Sequence, residues 1–359
     1  MRISGTAVLL TAIVSLSGAL AMANVTVETV RVGNLGNTGE WSGESYGGNG
    51  PDRFCGAVVY EYNIGKYEVT AGQYAEFLNA VATETDSYGL YNTDMWGSER
   101  GCKIQRTETG SAYSYSVAAD QTNRPVNYVS WYDGAMFANW LTSGSVHQGA
   151  YDTSSGAGWG DSDASNYSGM TPHDSSAMQT LVNTYGTVYV VPSEDEWYKA
   201  AYHKNDGATD HYFLYPTSSD TAPGYIGDGQ SIPDPDPGNY ATFDGDDGVD
   251  GIGSPYYMTE VGEHENSGSP YGTFDQGGNV FEWNESAILT LPSRRCLRGG
   301  TFDRGLHYLL AVDRRAWPPT TEHEFFGFRV VQIPEPATLA LLACGGAGLV
   351  LKRKQRRNM

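Results

Sequence analysis

Three glycine-anchored signatures in fixed order constrain the last third of this chain: Gly277-Gly278-Asn279-Val280-Phe281-Glu282-Trp283, Leu297-Arg298-Gly299-Gly300-Thr301-Phe302 and Gly327-Phe328-Arg329. Upstream stand Ile64-Gly65-Lys66-Tyr67-Glu68-Val69-Thr70 with Gln73-Tyr74-Ala75-Glu76-Phe77-Leu78-Asn79, then Arg124-Pro125-Val126-Asn127-Tyr128-Val129-Ser130-Trp131, then Val191-Pro192-Ser193-Glu194-Asp195-Glu196-Trp197. Each block reads as local structure. Thr70 can N-cap a helix over residues 71–81, where Tyr74, Phe77, Leu78 and Val81 fall at the i, i+3, i+4, i+7 spacing of one buried stripe. Ser193 with Glu196 three residues on forms a capping box for 194–202. A further helix over 131–141 places Ala135, Ala138 and Leu141 on one side. Strands are expected at 58–64, 188–191, 296–302 and 328–333, where β-branched and aromatic residues gather. Long polar insertions at 86–122, 143–187 and 206–238, with 45 glycines and 25 tyrosines in the chain, predict a loop-rich α+β fold. The blocks span nearly the whole body, so one domain over 24–333 is favoured.

In this order the blocks resemble the formylglycine-generating enzyme, or sulfatase-modifying factor, family. The resemblance implies a C-type-lectin-like topology with little regular secondary structure. That family keeps a redox cysteine pair after the Arg-Gly-Gly-Ser/Thr turn, and the corresponding positions here are Arg304 and Leu309. Copper-dependent oxidation needs two soft thiolates side by side, so no copper is expected. The resemblance therefore supports the fold and speaks against the family's founding chemistry.

The two ends read as targeting segments. Residues 1–23 carry Arg2, an apolar stretch and Ala21-Met22-Ala23, the pattern of a cleaved secretory signal. Residues 334–359 hold Pro334-Glu335-Pro336, an apolar stretch at 337–351 and then Lys352, Arg353, Lys354, Arg356 and Arg357. This tail resembles the PEP-CTERM sorting signal of Gram-negative bacteria and implies a membrane exosortase as partner. Its basic end places the preceding chain outside the cytoplasm, with membrane association through this segment before processing. The alternative is a plain membrane anchor, although 15 apolar residues are few against the roughly 20 of a spanning helix. Without both ends the chain keeps 16 basic against 41 acidic residues, near −25. So acidic a body excludes nucleic-acid binding, which requires phosphate neutralisation.

Three cysteines lie in the body, Cys55, Cys102 and Cys296. In an oxidising compartment an odd number allows one disulfide at most, and Cys55 with Cys102 is the pair favoured here because both flank the first helical block. Cys296 reads as a small buried hydrophobe. No CxxC occurs and the seven histidines are scattered, so the pattern is not that of a zinc site. No Gly-x-Ser-x-Gly elbow occurs either.

The resemblance implies calcium. Its first site maps onto the Asp275 and Glu282 side chains with the carbonyls of Gly278 and Val280, an all-oxygen set suited to a hard cation. The plainer alternative is that Glu282 forms a salt bridge in the core. A second site would use Asn239, the Tyr240 carbonyl and Asp247 or Asp250. A ligand groove is expected among Asp303, Arg304, His307, Asp313, Arg314, Arg315 and Trp317, a recognition composition for sugars or peptides; Arg314 and Arg329 could instead be structural, paired to core carboxylates. The sequence thus points to an exported, tail-sorted, calcium-stabilised binding or structural module of the cell envelope or extracellular matrix, with an extracellular polysaccharide or protein as ligand. The competing reading is an oxidase or protein-modifying enzyme whose active residues lie elsewhere.

Overall fold

A computed structural model describes residues 25–42, 53–151, 153, 176–226, 235–245, 248–288 and 291–333. The expected signal, the Pro334-Glu335-Pro336 element and the apolar tail lie outside them. Among the described residues, no helix is long and apolar enough to cross a membrane.

The chain opens with strands β1 (Thr29–Val32), β2 (Glu40–Ser42), β3 (Arg53–Cys55) and β4 (Tyr62–Gly65), followed by helices α1 (Ala71–Val81) and α2 (Asp94–Gly97). A hairpin of β5 (Ile104–Thr109) and β6 (Ala112–Val117) precedes α3 (Trp131–Ser143) and α4 (Ser176–Tyr185). Then come β7 (Val188–Val190), α5 (Glu194–Tyr202), β8 (Phe281–Ile288) and β9 (Leu291–Arg298). The short strands β10 (Arg315–Trp317), β11 (Phe326–Gly327) and β12 (Val331–Ile333) close the domain. One sheet has the order β1-β4-β12-β7 and the other β10-β9-β8-β11. Because β12 pairs antiparallel with both β4 and β7, placing Val331 opposite Ile64 and Val190, the two ends of the body share one sheet. The body cannot be cut into two independent halves along the chain.

The three capped helices form as their sequences require. Thr70 with Gln73, Ser130 with Asp133 and Ser193 with Glu196 each make a reciprocal capping box, satisfying amide groups that a helix start leaves open. Helix α3 runs two residues beyond 141 and stops at Gly144, whose φ of 78° is the left-handed C-cap conformation. It is buried on nearly every side, so its aromatic residues build the core: Phe137 meets Phe77 at 5.4 Å and Phe328 at 5.4 Å. Between β8 and β11, Trp283 meets Phe326 at 5.1 Å.

Several expected strands shift for stated reasons. The strand expected at 296–302 lies at Leu291–Arg298 and ends because Gly299 and Gly300 adopt φ of 102° and 79°. The one expected at 328–333 is split: Phe326 pairs parallel with Phe281 in one sheet, and Val331 pairs in the other. Phe328, Arg329 and Val330 carry the chain through the core between them. The polar insertions are not structureless, for β5–β6 lies within 86–122 and α4 within 143–187.

Candidate functional site

Two buried arginine–glutamate anchors fix the surroundings of the glycine signatures. On β8, Glu282 Oε2 accepts from Arg329 Nε at 2.6 Å and from Trp197 Nε1 at 2.8 Å, while Oε1 accepts from Arg329 at 2.7 Å. The remaining donors of Arg329 reach the carbonyls of Gly65 at 2.9 Å and Phe274 at 2.9 Å. At the start of α5, Glu194 Oε1 accepts from Arg298 at 2.7 Å and Arg314 at 2.7 Å, and Oε2 accepts from Arg53 at 3.0 Å. Burial pushes the Glu194 carboxyl up, but Arg298, Arg314 and Arg53 outweigh it and hold the group at about 2. Arg314 and Arg329 are therefore structural, and Arg314 leaves the set of groove candidates.

Beside the Arg329 anchor the charges do not balance. Asp275, half-buried with φ of 60°, accepts from the Gly262 amide at 2.6 Å, and burial pushes its carboxyl up to about 6. Glu68 is 2% exposed and neither carboxyl oxygen has a donor. Burial, then Asp275 and Glu282, push it well above the usual carboxylate range. Three carboxylates thus face one guanidinium. Among the described residues, no group of three or more His, Cys, Asp or Glu is placed to hold a metal ion. Asp275 and Glu282 flank the segment that carries Gly278 and Val280, but Glu282 already has Arg329 and Trp197 as partners, the salt bridge foreseen as the plainer alternative.

The residues of the second transferred site engage separate partners. Asn239 accepts from Thr217 at 2.6 Å and donates to the carbonyls of Thr221 and Ala222, while the Tyr240 amide donates to Ser267. Asp250 instead forms an ion pair with Arg100, which also binds Glu324 at 2.9 Å. Asp247 lies outside the described residues.

The expected Cys55–Cys102 disulfide is not formed. All three body cysteines are buried and free. The reason is placement: Cys55 packs with Trp197, Tyr198 and Tyr202, its sulfur 3.4 Å from Arg298, whereas Cys102 belongs to the main core beside Asn127. Burial pushes the Cys55 and Cys102 thiols up to about 11 and Cys296 higher still, and Cys296 donates to Glu194 at 3.3 Å. None is a thiolate at neutral pH, the form that attacks or binds copper. Where the family's cysteines stand in the resemblance, Leu309 is fully buried and Arg304 keeps 42% of its side chain exposed.

Some of the residues named for a ligand groove meet at a cavity of about 220 Å³ between β11 and the outer strand β10. Arg304, Arg315 and Trp317 line it, as the sequence suggested. Its other walls are Phe281, Tyr308, Phe325, Phe326 and the imidazole of His323, none of which the sequence motifs single out for a groove. Arg304 lies over the Phe325 ring at 4.8 Å and Arg315 over Tyr308 at 4.4 Å. Trp317 rests on Phe326 at 5.6 Å and is 44% exposed. The His307 ring lies tilted beside Tyr308, centroids 4.0 Å apart, and is not among the lining residues; Asp303 is 3.6 Å from Arg304, its own carboxyl pushed up to about 6 by burial. Asp313 closes the fork of Arg315 at 2.9 and 2.7 Å. The run His323-Glu324-Phe325-Phe326 just before Gly327 was the available signal, since aromatic residues beside a glycine turn have few places to go but a wall.

Residues 33–333 match the Sulfatase-modifying factor enzyme 1-like domain. The chain belongs to that family. Residues 332–356 match the PEP-CTERM protein-sorting motif, which marks the chain for export, sorting in the bacterial cell envelope and recognition by exosortase-type machinery. Among solved structures the family member is similar to CarF, at 20% identity over 86% of this chain and 98% of that one, with a TM-score of 0.49. It is also similar to Treponema denticola variable protein 1, at 17% identity over 86% and 95% of the two chains and a TM-score of 0.43. PvdO from Pseudomonas aeruginosa follows at 16% identity, 85% and 93% coverage and a TM-score of 0.41. No curated protein sequence matches the chain.

Proposed function

We propose that this sulfatase-modifying-factor family member is a non-catalytic binding module of the cell envelope, taking an extracellular ligand in the cleft between Arg304 and Trp317. One observation carries the reading: a cationic, aromatic-walled cavity lies beside the Arg-Gly-Gly turn, while the two thiolate positions are filled by an exposed Arg304 and a buried Leu309. Exposed aromatic and arginine side chains on rigid strands are recognition groups. The remaining thiols are protonated and inside the core, which leaves the cleft without a nucleophile or redox pair.

The test has two arms. Incubation of the purified domain with copper, oxygen and a cysteine-containing sulfatase peptide should leave the peptide mass unchanged, and the domain should be retained by isolated envelope material of its host. Conversion of the cysteine to formylglycine overturns the non-catalytic reading; no retention on any envelope fraction overturns the binding reading.

Calcium at Asp275, Glu282 and the carbonyls of Gly278 and Val280 is part of the same proposal. What supports it is charge: burial pushes the carboxyls of Asp275 and Glu68 up beside Glu282, whose own guanidinium partner is Arg329 alone among the arginines, so a cation there would favour their ionised forms. A carboxylate offers about four acceptor positions, and three N–H donors on Glu282 leave one for a cation. Bound there, the ion would supply positive charge and hold the segment; Asp275 would orient it through the fixed Gly262 contact.

A further inference from the structure

We infer that the cleft takes a carboxylated sugar residue of an acidic polysaccharide, held by Arg304 at its anionic group and by Trp317 at its ring. The inference rests on the binding-module reading above and names the ligand class of the same site. Of the two guanidinium groups in the wall, Arg304 is the one without a carboxylate at hydrogen-bond length. Arg315 spends its fork on Asp313 in a bidentate pair, whereas the contact of Arg304 with Asp303 is 3.6 Å, beyond hydrogen-bond length. The Arg304 guanidinium carbon lies 4.8 Å from the centre of the Phe325 ring, a contact that leaves its N–H groups for a carboxylate, which arginine binds through two oxygens at once.

The partner of that charge must be ring-shaped and partly polar. Trp317 is among the exposed large apolar side chains and is backed by Phe326, so its face is a fixed platform for the C–H side of a pyranose. The imidazole of His323 also lines the cavity, a polar edge beside the aromatic walls. A volume of about 220 Å³ corresponds to about seven waters at 30 Å³ each, room for one sugar residue and not for a folded element. Since Arg304 and Trp317 are both exposed at the mouth, a polymer can enter with one residue seated and its neighbours outside. The strong negative charge of the whole chain does not cancel this preference, because charges beyond about 8 Å are screened at physiological salt and the local guanidinium decides.

Isothermal titration of the domain with an oligogalacturonide, a neutral gluco-oligosaccharide of equal length and a peptide ending in a phenylalanine carboxylate tests this. The uronide should bind at least tenfold more tightly than the neutral sugar, with affinity falling as salt rises. Arg304→Gln should weaken it by about 10–100-fold, the worth of a charge-assisted pair, and Trp317→Ala by about tenfold; near-UV circular dichroism of both variants should match wild type. Equal binding of the two sugars, unchanged affinity in both variants, or binding of the peptide alone overturns the inference. If no oligosaccharide binds yet the domain is still retained on envelope material, the ligand class is wrong and the binding-module reading stands; loss of both removes both.

Discussion

Replacing Glu194 by glutamine should unsettle the domain more than any change in the cleft. Glu194 is fully buried with Arg298 and Arg314 on one oxygen pair and Arg53 at its rim. Removing its charge leaves the guanidinium groups of Arg298 and Arg314 inside the protein without a counter-charge, a loss of about 3–5 kcal/mol. The proton balance gives a similar size. The carboxyl is held at about 2 against an ordinary value of 4.5, and that difference corresponds to about 3 kcal/mol. Because the folded value is the lower one, this stability is fully present above about pH 4.5 and is lost as pH falls towards 2. For a body of about 300 residues, 3 kcal/mol moves the melting temperature by roughly 5 °C. Differential scanning calorimetry of wild type and Glu194→Gln at pH 7, 4.5 and 3 reads both effects: a lower Tm at pH 7 and a smaller acid-induced drop in the variant. A variant within 1 °C of wild type at pH 7, with an unchanged acid slope, would refute the idea that this ion cluster anchors the fold.

Three further outcomes are expected. Calcium at 100-fold its Kd should add about 2.7 kcal/mol, several degrees of Tm, with EGTA reversing the gain and Asp275→Ala abolishing most of it; an unchanged wild-type Tm in EGTA excludes the ion. Gly278→Ala should cost on the order of 3 kcal/mol or more, because φ is 92° and the new Cβ would meet the Thr242 carbonyl oxygen at 2.1 Å, and a melt within 1 kcal/mol of wild type would show that the segment at Thr242 moves freely. Intact-mass measurement of protein from the native host should show loss of the tail from about Pro334, whereas a membrane-bound form retaining Arg356-Arg357 would indicate a plain anchor.

What could be read from the sequence divides by the range of the interaction. The helices were legible because their determinants are local: Ser193 and Glu196 sit three residues apart in the chain and touch, and the 194–202 expectation matches the helix. The strands were less so, because β8 with its Glu282-Trp283 pair looks like a turn motif until β9 places Arg298 and Leu297 opposite. The cysteine pairing failed for the same reason: proximity along the chain to one helix said nothing of which cluster each side chain joined. In the cleft, the residues legible in the sequence were those with charge or an indole, Arg304, Arg315 and Trp317. Phe281 and Tyr308 were hidden because an aromatic residue gives no sequence sign of whether it faces the core or a cavity, and the parallel pairing of Phe326 with Phe281 settles that only in three dimensions.

At 304 and 309, where the resemblance would put the family's thiolates, the two side chains of this chain take opposite directions. Leu309 points inward, where a Cβ on Gly300 would meet its methyl at 2.7 Å and its carbonyl accepts from Tyr202 at 3.2 Å, so it acts as an apolar plug. Arg304 points outward onto Phe325. A thiol at position 309 would leave a void where the leucine methyl groups now pack, and a thiol at 304 would remove the only cleft cation not committed to a bidentate carboxylate pair. Restoring cysteines at both positions should therefore lower stability at 309 and ligand affinity at 304 rather than produce an oxidase.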